Sequence, residues 1–130
     1  MVEAGIRAVL VANATIAATV GTRVYVGMLP QGVTYPCITI MPITQDDNIT
    51  LYTLPALKWA RLQIDSWAET YAAMMTLHNA TFTALANQKF TPTGYDIRSI
   101  VPHPGGQYFY EDVIEKHRRS RDYGIWWKVA

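Results

Sequence analysis

Apolar positions recur at three- and four-residue spacing through Ile6, Val9, Leu10, Ile16, Ala17 and Val20, with Asn13 on the same stripe. That period, in an alanine-rich stretch, predicts one amphipathic first helix with a single buried face. Gly21 stands where such a helix ends, since glycine takes a positive φ without strain. Arg23-Val24-Tyr25-Val26 then reads as a short strand and Leu29-Pro30-Gln31-Gly32 as a turn. The β-rich run Cys37-Ile38-Thr39-Ile40-Met41 lies between Pro36 and Pro42, which would fix its length from both sides.

From Leu57 to Ser66 the pattern alternates. Ala60, Leu62 and Ile64 face one side while Trp59, Arg61, Gln63 and Asp65 face the other, as in a half-buried antiparallel strand. Ser66-Trp67-Ala68-Glu69 has the spacing of a capping box, so a second helix is expected to begin there. Its inner face would carry Tyr71, Met74, Met75, His78, Phe82 and Leu85, with Asn87 near its end. Pro92 and Gly94 mark a turn, Tyr95 to Val101 a strand, and Pro102-His103-Pro104-Gly105-Gly106 its close. His117 to Val129 reads as a long terminal strand, preceded by the acidic, aromatic stretch Tyr108 to Glu115. A helix with strands on both sides, lying on one face of a sheet, makes an α+β two-layer architecture. Between Ile43 and Ala56 the period is lost, although Ile49, Leu51, Tyr52 and Leu54 are apolar. Connections of that length tend to be functional, and this one reads as an extended hairpin arm.

At 130 residues there is room for one domain and no second core. A domain of that size folds without disulfide or metal staples. Half of the residues are hydrophobic and 16% are charged, against roughly 25% in ordinary soluble domains. Part of the surface is therefore expected to lie under a partner. The net charge of +1 supplies no field to concentrate nucleic acid or anionic membrane. The single cysteine excludes an internal disulfide and fits a reducing compartment. Met1 to Val20 carries Glu3 and Arg7 and lacks a basic start before an unbroken apolar run, so neither a signal peptide nor a membrane span is expected.

Candidate chemistry is sparse. Cys37 has no adjacent positive charge or helix N-terminus to activate it, and a small buried hydrophobe in a strand accounts for it. His78, His103 and His117 show none of the close spacings that bring two ligands to one metal. Asp46 with Asp47, Asp65 with Glu69, and Glu111 with Asp112 and Glu115 are neighbours in sequence, whereas hydrolysis needs carboxylates converging from separate elements. Asp65 and Glu69 flank the expected helix start, where capping and the helix dipole explain them. No enzymatic activity, metal or cofactor is expected.

The one basic run, Lys116, His117, Arg118, Arg119 and Arg121, splits by strand face, with Arg119 and Arg121 on one side and Lys116 and Arg118 on the other. Two readings fit it: charge guarding an exposed strand edge, or an intersubunit salt bridge or phosphate contact. The tryptophans raise the same question. Trp59 lies opposite the apolar face of its strand, and of the adjacent Trp126 and Trp127 one must point away if the other points in. An exposed Trp59 or Trp126 would mark a partner surface.

Three stretches in order carry a family likeness. They are Arg23-Val24-Tyr25 through Leu29-Pro30-Gln31-Gly32 into Tyr35-Pro36-Cys37-Ile38-Thr39-Ile40; Leu62-Gln63-Ile64-Asp65-Ser66-Trp67-Ala68 running into a helix ending near Ala84-Leu85; and Arg121-Asp122-Tyr123-Gly124-Ile125-Trp126. With its length and spacing, the chain resembles the tail-completion, or tail-terminator, proteins of long-tailed bacteriophages and related gene-transfer particles. The resemblance implies an α+β fold, a small antiparallel or mixed sheet packed by two main helices, with a long hairpin-like arm. It implies a structural virion protein at the tail–neck junction, made in the host bacterial cytoplasm. Six copies would ring the head-proximal end of the tail tube, end its polymerisation and offer a docking surface to the head connector or stopper, with double-stranded DNA passing through the hole. The family has no active site to carry over.

On that reading the arm contacts a neighbour or the tube through Tyr52 and Leu54, and Asp46 and Asp47 face the channel. Trp59, Arg118, Arg119, Arg121 and Trp126 complete the expected interface. The competing readings are a head-closure (stopper) or adaptor ring of the same neck, a monomeric domain binding peptides along a free sheet edge, and a hydrolase in which two of Cys37, His78, Asp65 and Glu69 converge.

Overall fold

The computed structural model describes residues 2–46 and 58–129. In chain order they form α1 (Val2–Ala12), α2 (Ala14–Val20), β1 (Val24–Val26), β2 (Cys37–Asp46), β3 (Lys58–Ala68), α3 (Tyr71–Leu85), β4 (Tyr95–Pro102), β5 (Gln107–Glu111) and β6 (Lys116–Val129). The strands make one mixed six-stranded sheet in the order β1-β2-β3-β6-β4, with β5 also paired to β6. β1 runs parallel to β2 and every other pairing is antiparallel. This is the expected α+β fold.

The expected first helix is two helices, bent by 89°. Asn13 leaves the helical region at φ −74°, ψ 123°, and its Oδ1 accepts from the N–H of Ile16 at 3.1 Å, capping α2. A short polar side chain that satisfies an orphan N–H competes with helix continuation. The bend lets Ile6 and Leu10 of α1 and Ile16 and Val20 of α2 join one buried cluster. No single helix among the described residues is long and apolar enough to cross a membrane.

β2 runs past Pro42 to Asp46, beyond the end expected for it. The β1 ladder stops at Ile40, and the pairing with β3 shifts register between Pro42 and Thr44, a bulge of the kind that tolerates proline. β3 alternates as its sequence predicts, with Ala60, Leu62 and Ile64 in the core. The capping box does not form. β3 continues through Ser66 to Ala68, and Thr70 caps α3 by accepting from the N–H of Ala73 at 3.1 Å. Strand pairing of Ser66 with Arg119 and of Trp67 with Arg118 outweighs the local capping signal.

The inner face of α3 is Met74, Leu77, His78, Thr81 and Leu85, turned from the expected stripe so that Tyr71 is exposed. β5 lies largely in the acidic, aromatic stretch Tyr108 to Glu115, for which no element is expected from sequence: its residues are mostly exposed, and such a strand shows no alternation of burial. Exchanging Thr70 for alanine should lower the unfolding free energy by about 1 kcal/mol. Ser66→Ala should be neutral or slightly stabilising, because the Ser66 Oγ is buried with no partner. Urea unfolding of the two variants separates the caps.

Candidate assembly surface

Side-chain alternation sends β3 and β6 residues to two different environments. On one side Leu62, Ile64, Tyr123, Ile125 and Trp127 meet the helices in a single core cluster. On the other side stand Trp59, Arg61, Gln63, Asp65 and Trp67 of β3 and Arg118, Ser120, Asp122, Gly124 and Trp126 of β6. Among the described residues no helix packs on this second face.

The face is an ordered polar array. Arg118 is its hub: Nη1 donates to Asp65 Oδ2 at 3.0 Å and Nη2 to Glu111 Oε1 at 2.8 Å. The same guanidinium lies 5.2 Å from the Trp67 ring and 4.3 Å from the Phe109 ring, so two aromatic faces hold it in plane. Trp67 Nε1 in turn donates to Thr39 Oγ1 at 3.0 Å. Further along, Arg61 grips Asp122 with Nε and Nη2, at 2.8 and 2.6 Å to Oδ2. Trp59 and Trp126 face each other across the β3–β6 ladder. A Cβ at Gly124 would come within 3.4 Å of Trp59 Nε1 and His103 Nε2, so the glycine makes room for both rings.

Several expectations change here. β6 is paired on both sides, with β3 on one and β4 and β5 on the other, so its arginines guard no strand edge. Asp65 belongs to the Arg118 network in mid-strand and does not flank a helix start; only Glu69 does, 4.0 Å from Lys116 Nζ. Arg118 pairs with Asp65 and Glu111 inside the chain through Nη1 and Nη2. Arg119 and Arg121 turn to the opposite, helix-bearing side, where Arg121 stacks 4.8 Å from Phe82. The tryptophan pair resolves as alternation demands: Trp127 is in the core and Trp126, like Trp59, is half-buried on the helix-free face. Asp46 ends β2 opposite Trp59, while Asp47, Tyr52 and Leu54 lie outside the described residues.

No catalytic set assembles from the candidates. Cys37 and His78 project from opposite sides of the sheet, and burial pushes the Cys37 thiol up to about 12, only partly offset by Arg23. His78 is pushed down to about 4 by burial and by Arg119 and Arg121. Among the described residues no group of three His, Cys, Asp or Glu side chains could hold a metal ion. A cavity of about 990 Å³ between α1 and α3 is lined by Ala8, Val9, Ala12, Ala80, Ala84 and Phe90 among others, with no titratable group for acid–base work. What this array offers is a surface.

The sequence comparison decides which kind. Residues 4–105 match the family of tail completion protein gp17. The chain belongs to that family. It is thus a structural tail protein of the bacteriophage type, and the family resemblance is borne out, with the first two of its three stretches inside the matched residues. Among curated proteins none matches the chain by sequence. Its fold is similar to that of a chain in the solved virion of a native gene transfer agent particle, with a TM-score of 0.73 at 15% identity, covering 95% of this chain and 91% of that one. For this tail completion protein, the residues missed from sequence are the partners Glu111, Asp122 and Phe109. No local signal marks them, because strand register alone brings them to the arginines.

Proposed function

We propose that the chain is one terminator unit of a ring, six copies in number, seated on the head-proximal end of a phage-type tail tube. The ring ends tube polymerisation, presents a docking surface to the head connector or stopper, and lets double-stranded DNA pass through its centre. The observation that carries this reading is the match of residues 4–105 to a tail completion family. The likeness to a chain of a gene transfer agent virion supports a place in the virion, which we assign to the junction of tail and neck. The mechanism is capping by geometry. A tube adds rings while each top surface repeats the last, and a ring whose upper face differs stops head-to-tail growth. Such a role needs no catalysis.

The helix-free face of β3 and β6 suits an assembly contact, since Arg61, Trp59 and Trp126 are pre-positioned and only half-buried. Aromatic and arginine side chains held in place lose little entropy on docking. The connection 47–57 joins two antiparallel neighbours, β2 and β3. We assign it contact with a neighbour or the tube through Tyr52 and Leu54, with Asp46 and Asp47 toward the channel, where acidic walls repel DNA.

Native mass measurement and negative-stain imaging, alone and with tail tubes, test the reading. Rings at one tube end support it; rings that bind only the portal side assign a stopper; a monomer that ignores tubes overturns it. Deleting Asn48 to Leu54 should abolish ring formation or tube capping while leaving a folded protein by circular dichroism. A deletion variant that still caps tubes would remove the arm from the mechanism.

A further inference from the structure

β5 leaves one edge of the sheet open. Asp122 O accepts from the N–H of His103 at 2.8 Å on that side of β6, so the even-numbered residues of β6 turn their backbone groups toward it. Ser120, Arg118 and Lys116 therefore bond Gln107, Phe109 and Glu111, which leaves Tyr108 and Tyr110 to present their N–H and C=O outward. Among the described residues no backbone group meets them. The other edges are guarded. Residues 87–90 lie along β4, through Asn87 N–H to Ile100 O at 2.8 Å and the Phe90–Ile97 bridge. Arg7 Nε donates to Val24 O of β1 at 2.7 Å, and β2 beyond β1 carries Pro42 and a bulge. β5 has no proline, lysine or bulge.

Its side chains are as open as its backbone. Tyr108, 41% exposed, and Tyr110, 46% exposed, stand beside Tyr71 of α3, 51% exposed. The Tyr71 and Tyr108 rings meet edge-on at 5.3 Å, and Tyr108 OH is hydrogen-bonded to His117 Nδ1 at 2.7 Å. Rings held in place beside free strand groups make a template for one more strand.

The connection 47–57 has the composition of such a strand. From Asn48 to Leu57 it carries no charge, and Ile49 to Leu54 places apolar or β-branched residues on both faces. It cannot come from the same chain. β5 lies opposite Lys116 to Ser120 of β6, whereas Lys58, where the connection ends, lies opposite Trp127. The seven residues from Ser120 to Trp127 separate them by about 23 Å or more. Eleven residues fastened at both ends to neighbouring strands place their tip at most about 20 Å from their base. β2 also enters the connection running away from β5, since Cys37 is level with Phe109 and Asp46 is not. Donor and receiver thus sit at opposite ends of one sheet, the arrangement that builds head-to-tail rings.

We propose that the open edge of β5 takes the Asn48 to Leu54 stretch of a second copy of this chain as an added strand, with Tyr71, Tyr108 and Tyr110 packing on its side chains. The proposal rests on the ring reading above and names the seat of the arm. Tyr108→Pro with Tyr110→Pro withdraws the outward N–H groups, a place where edge strands accept proline. It should raise the concentration needed for ring assembly at least tenfold. Tyr108→Thr with Tyr110→Thr keeps those donors and should lose less. The proline chain retains its arm and a chain lacking Asn48 to Leu54 retains its edge, so the two should form a dimer when mixed, each alone being a monomer. A proline chain that rings at the wild-type concentration overturns the seat and leaves the ring reading standing, whereas a wild-type chain that forms no ring even at tube ends overturns both. A disulfide trap reads the contact without the prolines. Chains with Tyr110→Cys and one of Thr50→Cys, Leu51→Cys or Thr53→Cys should link into oligomers on oxidation, and the absence of any link between chains in all three overturns the proposal.

Discussion

Arg118→Ala is expected to destabilise the protein by about 3–5 kcal/mol, the usual cost of removing one partner of a buried ion pair. The reason is what remains. Asp65 is 5% exposed, and without Arg118 its carboxylate keeps, among the described residues, only Gln63 Nε2, at 3.2 and 3.3 Å, as a side-chain donor. The slot between Trp67 and Phe109 is emptied as well. Replacing both partners, as Arg118→Met with Asp65→Leu, should recover most of the loss, because a hydrophobic pair of similar volume pays no desolvation penalty. Urea unfolding of the four chains in the cycle gives the coupling directly. Additive losses would show that Arg118 acts by packing alone.

Acid should weaken the fold through His78. In the unfolded chain this imidazole takes up a proton near its ordinary value of 6.5, while in the folded protein burial and the two arginines hold it down to about 4. Between those values the unfolded state binds more protons, so stability is full above about 6.5 and falls as the pH drops toward 4. The interval corresponds to on the order of 3 kcal/mol at most. His78→Gln should flatten the pH 4–6.5 part of the stability curve relative to the wild type while the carboxylate-driven loss at lower pH remains. Curves of equal slope for the two chains would show that the folded protein accommodates the charged ring.

Some of this was readable in advance. The alternation of Trp59 to Asp65 predicted both faces of β3, and the adjacent Trp126 and Trp127 required one tryptophan in the core and one outside it. Periodicity works there because a strand or helix with one buried face repeats its pattern within a few residues. β5 escaped, since Tyr108, Phe109 and Tyr110 are all exposed and alternate in nothing. The capping box at Ser66 misled for a related reason: the local signal was sound, but pairing with a strand more than fifty residues away extended β3 past it.

By itself the sequence determined the class of fold, the order of most elements, and a likeness whose family the sequence match then established. Each of these depends on residue type and near-neighbour spacing. Only the tertiary structure decided that Asn13 breaks the first helix, that β6 is an inner strand, and which side of the basic run meets acidic partners. Arg118 meets Asp65 across 53 residues of chain, whereas Arg119 and Arg121, on the helix-bearing side, meet no acid among the described residues. Which charges are satisfied depends on strand register and sheet order. Those are set by the summed packing of the whole core, and a one-residue shift of pairing would exchange the two faces.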